Sequence, residues 1–197
     1  MLDSFFVPHK IALTGKMRSG KDTAALRLID HHKFNRFAFA DELKRYAYDI
    51  FDISEKSKQR KLLQIFGEKM CEIDPNVWVN KLEKNIQNIE HFMQLYPHNL
   101  PTSFKVVITD LRKPIEYKWA VRNNYVIIRI NADEDTRLQR MQQAGDVFTE
   151  DTFNHVSERH IDGYNVHYDI DNNGTIDELN TQIDKVLQDI YSVASVG

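Results

Sequence analysis

A chain that runs from Ile11-Ala12-Leu13-Thr14 directly into Gly15-Lys16-Met17-Arg18-Ser19-Gly20-Lys21-Asp22-Thr23 has few folds open to it. The short apolar segment ending at a glycine suits a buried parallel strand. Beyond the second glycine, Ala24-Ala25-Leu26-Arg27-Leu28-Ile29 has helical character. Between strand and helix, Gly15 and Gly20 let the backbone turn without a Cβ in the way, so that successive N–H groups converge on phosphate oxygens. The positive end of the following helix and the mobile Lys21 ammonium add to the same field. This is the layout of a phosphate-binding P-loop, G-x-x-x-x-G-K-[ST], at every fixed position but the last. There, Asp22 stands where Ser or Thr ligates magnesium. A chance glycine-rich turn before a helix is the competing account, and the order strand, loop, helix argues against it.

The rest of the chain suits a small enzyme built on such a loop. Its 197 residues fit one domain with a helical insertion. The net charge is only −3 and no block of like charge occurs, so no nucleic-acid partner is expected. Cys71 is the sole cysteine, which excludes an internal disulfide and fits a reducing cytoplasm. No signal peptide is read at the N-terminus, and no stretch reaches the roughly 18 apolar residues of a membrane span.

Apolar runs and breakers predict about five strands alternating with helices. Strands are expected at Lys10–Thr14, Phe34–Ala40, Lys105–Asp110, Tyr125–Ile130 and His167–Ile170. The second of these has Phe37 and Phe39 on one face. Helices are expected from Gly20 to His32, from Glu42 to Phe51 with Asp41 as cap, from Pro114 to Arg122, from Asp133 to Gln143 and from Thr149 to Glu158. A last helix ends near Val193, with Ile176, Leu179, Ile183, Val186, Leu187 and Ile190 as its apolar stripe. Asp52 to Ser103 reads as mostly helical, broken at Asp74-Pro75, with Pro75 in the first turn of the next helix and a loop at Tyr96–Pro101. Strand, helix, strand spacing on either side favours a parallel sheet, hence an α/β sandwich of three layers.

Candidate chemistry follows from these placements. Asp110 ends an apolar strand beside the loop, where ligands of open α/β sheets collect, and can hold Mg²⁺ directly or through water. Arg112 offers a guanidinium for paired hydrogen bonds to phosphate, or pairs with Glu116 on the next turn. Arg137 and Arg140 share a face of the Asp133–Gln143 helix, either as a lid over transferring phosphates or as an exposed charged surface. Arg18 lies inside the loop itself. No Ser-His-Asp, Cys-His or zinc-spaced cluster stands out. An acceptor that is itself a phosphate is already an anionic nucleophile, so positioning and charge neutralisation suffice and basic side chains dominate.

The chain resembles bacteriophage-type deoxynucleoside monophosphate kinases among the small P-loop kinases. The resemblance rests on Gly15 through Thr23 with Ser-Gly-Lys-Asp; on Phe39-Ala40-Asp41-Glu42-Leu43-Lys44; and on Leu63-Gln64 with Gly67. It extends to Asp74 with Trp78-Val79, Thr109-Asp110-Leu111-Arg112 with Glu116, and Asn173-Gly174-Thr175. It implies one kinase domain with a core of about 8–51 and 104–197, a helical acceptor-binding insertion of about 52–103 and a lid of about 133–160. The implied reaction moves a phosphoryl group from Mg-ATP to a (deoxy)nucleoside 5′-monophosphate. By this resemblance Gly15, Lys16, Arg18, Ser19, Gly20, Lys21, Asp22, Thr23, Asn173 and Gly174 hold ATP, the last two beside the adenine. Lys21, Arg112, Arg137 and Arg140 act on the transferring phosphoryl group. Asp41, Lys44, Gln64, Trp78, Asp110 and Arg112 meet the acceptor, with Trp78 either stacking a base or serving as core. Asp22 belongs to the family pattern, and the magnesium role passes to Thr23, to Asp22 through water, or to Asp110. The partners implied are small nucleotides, and the sequence allows a homodimer.

Two alternatives share parts of this evidence. A kinase of another phosphorylated metabolite, such as phosphomevalonate or dephospho-coenzyme A, would have the same donor site, and a nucleotide-binding protein without transfer activity would keep the loop. A calcium site is a weaker rival. Asp169 to Asp177 matches the first nine positions of an EF-hand loop, but the twelfth is Asn180 where a bidentate glutamate belongs.

Overall fold

The computed structural model describes residues 10–53, 59–95, 104–145 and 160–194. The expected helix at Thr149–Glu158, the loop at Tyr96–Pro101 and half of the expected lid lie outside these residues. The chain divides into two compact units, Met1–Arg36 with Lys105–Gly197, and Phe37–Phe104.

The first unit is built on a five-stranded parallel sheet in the order β2-β3-β1-β4-β5. Its strands are β1 (Lys10–Thr14), β2 (Asn35–Phe37), β3 (Val106–Ile108), β4 (Val126–Asn131) and β5 (Tyr168–Asp171). β1 is central: Ala12 pairs with Ile108 of β3 on one side and Ile127 of β4 on the other. The chain leaves β1 for one edge of the sheet and later crosses to the opposite edge, so the carboxyl end of β1 is the point where connections part, the place at which open α/β sheets bind ligands. Ile11, Leu13, Ile128, Ile130 and Ile170 are buried beneath α1 (Lys21–Asp30) and the C-terminal helix. Each such side chain removed from water contributes roughly 1.5–3 kcal/mol. α5 (Pro114–Arg122) and α6 (Glu134–Gln143) connect strands, and α7 (Ile176–Ala194) closes the unit.

α5 has the expected limits, because Pro114 at the first helical position has no N–H to leave unpaired and Glu116 caps the start. On α7 the stripe Leu179, Ile183, Val186, Leu187 and Ile190 is buried, but Ile176 is 64% exposed. It sits in the first turn, before the helix meets the sheet. Thr175 and Glu178 cap that turn reciprocally: Glu178 Oε2 accepts the Thr175 N–H at 2.7 Å, and Thr175 Oγ1 accepts the Glu178 N–H at 3.2 Å.

The second unit is helical: α2 (Phe39–Phe51), α3 (Arg60–Ile73) and α4 (Val77–Leu95). The expected strand Phe34–Ala40 is shorter than its apolar run. Phe37 ends β2, while Phe39 already opens α2, with Ala38 at its N-cap in extended conformation. Asp41 therefore lies inside the first turn rather than capping it. Both phenylalanines are buried, so the apolar run reported burial correctly and period wrongly. Pro75 lies in the turn before α4 rather than within it, where Asp74 Oδ1 accepts the Asn76 N–H at 2.9 Å. Trp78, Val79, Leu82 and Ile86 bury one face of α4.

Candidate functional site

The loop after β1 takes the shape its glycines permit. Gly15 and Gly20 have φ of 145° and 102°, and Arg18 between them has φ of 62°. A Cβ on Gly15 would collide with the Ile130 carbonyl and come within 2.7 Å of Ser19 Oγ; one on Gly20 would collide with the Asn172 side chain. Lys21 is 6% exposed, and its ammonium donates to the carbonyls of Gly15 at 2.6 Å and Lys16 at 2.9 Å. Those bonds hold the lysine along the inner side of the loop. No side chain caps α1 at Gly20, which leaves the positive end of the helix to an anion. Ser19 Oγ is buried and has no hydrogen-bond partner among the described residues. An orphaned hydroxyl inside a nest of glycines is what a phosphate-bearing ligand would satisfy.

The arginines of α6 reach this loop. Arg137, 5% exposed, donates to the Met17 carbonyl at 3.5 Å. Arg140 donates to the Arg18 carbonyl at 3.4 Å and to the Asn172 carbonyl at 2.8 Å. Asn172 in turn donates to the Ser19 carbonyl at 2.8 Å. Loop, α6 and the turn after β5 are thus one polar assembly. Asn173 and Gly174 lie in that turn. Asn173 Oδ1 accepts the Asp133 N–H at 2.8 Å, and Gly174 packs against Glu178.

On the other side of the loop, Thr14 Oγ1 donates to the Leu111 carbonyl at 2.9 Å, and the Leu111 N–H reaches the Leu13 carbonyl at 3.3 Å. This carries Asp110 and Arg112 to the carboxyl end of β1. Glu116 does not pair with the Arg112 guanidinium. Its Oε2 accepts the backbone N–H groups of Arg112 and Lys113, both at 2.8 Å. Burial, reinforced by the Asp110 charge, raises the Glu116 carboxyl to about 7 even though those two bonds act the other way. Tyr164 donates to the Arg112 carbonyl at 2.8 Å. Lys16, in the loop, pairs with Asp162 at 2.7 Å. Asp22 is exposed and Thr23 partly buried on the first turn of α1.

Asn172, Asp162, Tyr164 and the clamping role of Glu116 went unread in the sequence. Only Glu116 carried a local signal, its position three residues after the N-cap. Two aspartates of the calcium-like stretch have other partners: Asp169 takes Arg129 at 2.7 and 2.9 Å and Asn131 at 2.8 Å, the Arg129 bonds holding its carboxyl below the usual range, and Asp171 accepts from Asn173 at 3.0 Å.

The helical unit carries the remaining candidates. Asp41 and Lys44 lie 3.9 Å apart on α2, and Gln64 donates to Glu68 at 3.0 Å on α3. Trp78 is buried, its indole N–H 3.4 Å from the Gly67 carbonyl and its ring 5.7 Å from Phe66, so its surface is used in packing. Gly67 has a matching structural reason: a Cβ there would collide with Leu43. Between α2 and α4 a groove of about 600 Å³ is lined by Asp41, Glu42, Arg45, Tyr46, Lys81 and Lys84, among others. Glu42 is buried there, accepting Arg45 at 2.7 Å and Asn85 at 2.8 Å.

The donor set suits a nucleoside triphosphate with magnesium. Gly15, Gly20, Ser19 and Lys21 could cradle its phosphates. Asp110 and Thr23, with Asp22 through water, could supply the one or two oxygen ligands that a largely phosphate- and water-bound Mg²⁺ requires. Among the described residues no group of three or more His, Cys, Asp or Glu side chains forms a cage for another metal, and no helix is long and apolar enough to cross a membrane.

No curated protein sequence is similar enough to this chain to count as a match. Solved structures match over most of its length. Dephospho-CoA kinase from Campylobacter jejuni has 18% identity, covering 92% of this chain and 96% of its own, with a TM-score of 0.53. Shikimate kinase from Acinetobacter baumannii, in complex with shikimate, has 15% identity, covering 92% of each chain, with a TM-score of 0.50. At these identities the likeness is one of fold, and the fold is that of P-loop kinases. A family model described as an AAA domain matches residues 11–159, well over half of the chain, and the protein belongs to that family.

Proposed function

We propose that this protein is a phosphotransferase that moves the γ-phosphoryl group of ATP onto the phosphate of a (deoxy)nucleoside 5′-monophosphate, giving two diphosphates. One observation carries the reading: a glycine-bracketed loop with a buried lysine takes Arg137 and Arg140 on its carbonyls, and the segment that carries Arg112 is bonded to the end of β1 within the same compact unit. Basic groups without a dedicated base suit an acceptor whose nucleophile is already an anion. An acceptor phosphate oxygen forms a bond to the γ-phosphorus while the bond to the bridging oxygen of the departing ADP breaks, so no proton needs a protein acceptor.

The chain's own part is to bind, align and neutralise. The loop amides and Ser19 hold the donor phosphates. Lys21 exchanges the carbonyls of Gly15 and Lys16 for phosphate oxygens, and Arg18 and Lys16 add charge at the rim. Arg137 and Arg140 bring cations over the loop from α6, while Arg112 meets the acceptor phosphate. Magnesium, when bound, offsets charge on the donor phosphates and would be held through Asp110, Thr23 and Asp22. Asp41, Lys44 and Gln64 contact the acceptor in the helical unit, and Trp78 supports them by packing. In this reading the chain is a single cytoplasmic kinase domain with its lid over 133–160, and a homodimer is compatible with it.

The test is ADP release by purified protein across the common ribo- and deoxynucleoside monophosphates, with shikimate, phosphomevalonate and dephospho-coenzyme A as comparison acceptors. Stimulation by a nucleoside monophosphate is the expected result. Stimulation only by another acceptor would move the assignment to that kinase class, and ATP binding without any acceptor-dependent turnover would leave a nucleotide-binding protein.

A further inference from the structure

We infer that Tyr164 and Glu116 are positioning residues for Arg112, gripping its main chain from opposite sides and so fixing where its guanidinium meets phosphate. This rests on the reading of Arg112 as a phosphate contact. Arg112 lies in the irregular link between β3 and α5, outside the sheet ladder. Its N–H goes to Glu116 Oε2, as does that of Lys113, both at 2.8 Å; its carbonyl takes the Tyr164 hydroxyl at 2.8 Å. A long arginine side chain aims only as well as its Cα is held, and a misplacement of about 1 Å can cost on the order of a hundredfold in rate.

The grip is itself anchored. Tyr164 stacks on Tyr117 with ring centroids 4.3 Å apart and planes 6° from parallel. Tyr117 donates to the Asn165 carbonyl at 2.9 Å. Arg129, locked to Asp169, gives one nitrogen to the carbonyls of Ile161, Asp162 and Tyr164 at 3.1, 3.2 and 3.3 Å. The 161–165 turn is therefore folded around a single guanidinium. The same turn sends Asp162 to Lys16 in the phosphate loop at 2.7 Å. One short segment thus refers both the loop and Arg112 to the same scaffold, with Arg129 of β4 as its fixed point.

Tyr164→Phe keeps the stacked ring and removes only the hydroxyl, and Glu116→Gln replaces the carboxylate by a neutral, weaker acceptor for the two amides. Two measurements test the inference. Hydrogen exchange at the Arg112 and Lys113 amides is expected to rise roughly tenfold in both variants, as for a local opening made about 1.4 kcal/mol easier, while exchange in β1 and β4 stays unchanged. In turnover, Tyr164→Phe is expected to lower kcat/KM for the acceptor about tenfold while leaving KM for ATP within about twofold. In an Arg112→Ala background it should have no further effect.

Unchanged amide exchange overturns the grip, and an equal loss of turnover in both backgrounds overturns its link to Arg112. Full activity of Arg112→Ala would remove the arginine and this inference together while leaving the phosphotransferase reading to Lys21. The exchange measurement needs no turnover, so it decides the grip even if the whole acceptor panel fails.

Discussion

The two units of the chain hold their polar groups in opposite ways. In the sheet unit, polar side chains reach across long stretches of sequence to main-chain carbonyls: Asn172 to Ser19, Arg140 to Arg18 and Asn172, Tyr164 to Arg112. In the helical unit most pairs are one turn apart on exposed helix: Asp41 with Lys44, Arg45 with Glu42, Lys69 with Glu72, Gln64 with Glu68. Between helices, Asn85 of α4 donates to Glu42 of α2, and the Trp78 indole of α4 reaches the Gly67 carbonyl of α3. Long-range bonds to carbonyls fix atoms, whereas local pairs on helices leave side chains free to exchange partners. Chemistry on a phosphoryl group needs the first kind of order. In the proposed reading, recognition of a variable acceptor needs only the second.

That contrast can be broken most directly at Lys21. Lys21→Ala is expected to lower turnover by roughly 10³-fold or more, and steady-state kinetics would read it; a change below tenfold would remove the loop lysine from the mechanism. The glycines come next. Gly20→Ala puts a side chain at φ of 102° and into Asn172. It should cost about 1–3 kcal/mol in backbone strain, or roughly 2–4 °C of Tm per kcal/mol for a chain of this size. Gly67→Ala meets only the end of the flexible Leu43 side chain, so a smaller loss by calorimetry is expected. The reverse order would show the helical unit to be the more rigid one.

Lys44→Ala should raise KM for the acceptor about tenfold and leave KM for ATP unchanged, since its pairing with Asp41 is loose. A matching rise in both constants would mean that the two units do not divide the work as described.

A smaller effect comes from Glu116. Its carboxyl is raised from 4.5 to about 7, chiefly by burial and next by Asp110, with Lys113 and the two backbone bonds opposing. The folded state therefore binds more protons than the unfolded one between these values. Stability is fully present below about pH 4.5 and declines as pH rises through about 7. Glu116→Gln should flatten the dependence of Tm on pH over this window.

The smallest effect has the opposite sign. Arg27, aided by His32, holds Asp184 down at about 2, so its stabilisation is present above 3.8 and lost as pH falls toward 2. Asp184→Asn should lower Tm by roughly 3 °C at neutral pH and remove part of the acid limb, as thermal scans in a pH series would show.

The architecture was legible where a local rule and burial agreed. The loop between β1 and α1 was marked by its glycines, α5 by Pro114, and α7 by its apolar stripe. The boundary between β2 and α2 was not, because Phe37 and Phe39 are both buried and no glycine or proline separates them. At the site, the glycines of the loop and the arginines of α6 are marked in the sequence, and the fold brings them together. What escaped was the set of groups that hold them. Asn172, Tyr164 and Asp162 act on partners 153, 52 and 146 positions away. No periodicity or short motif encodes a contact at such a distance, and only the folded sheet brings the ends together.

Asn172 lies so close under Gly20 that its amide fills the space a side chain there would need. For the descendants of this sequence the two positions form one heritable unit. Drift at either is conditional on the other: a smaller residue at 172 empties the wall of the loop, and any residue larger than glycine at 20 meets the amide. Libraries that vary the loop alone would therefore return mostly glycine at 20, whereas joint variation of 20 and 172 would separate the steric part of that demand from the part set by the backbone's left-handed turn.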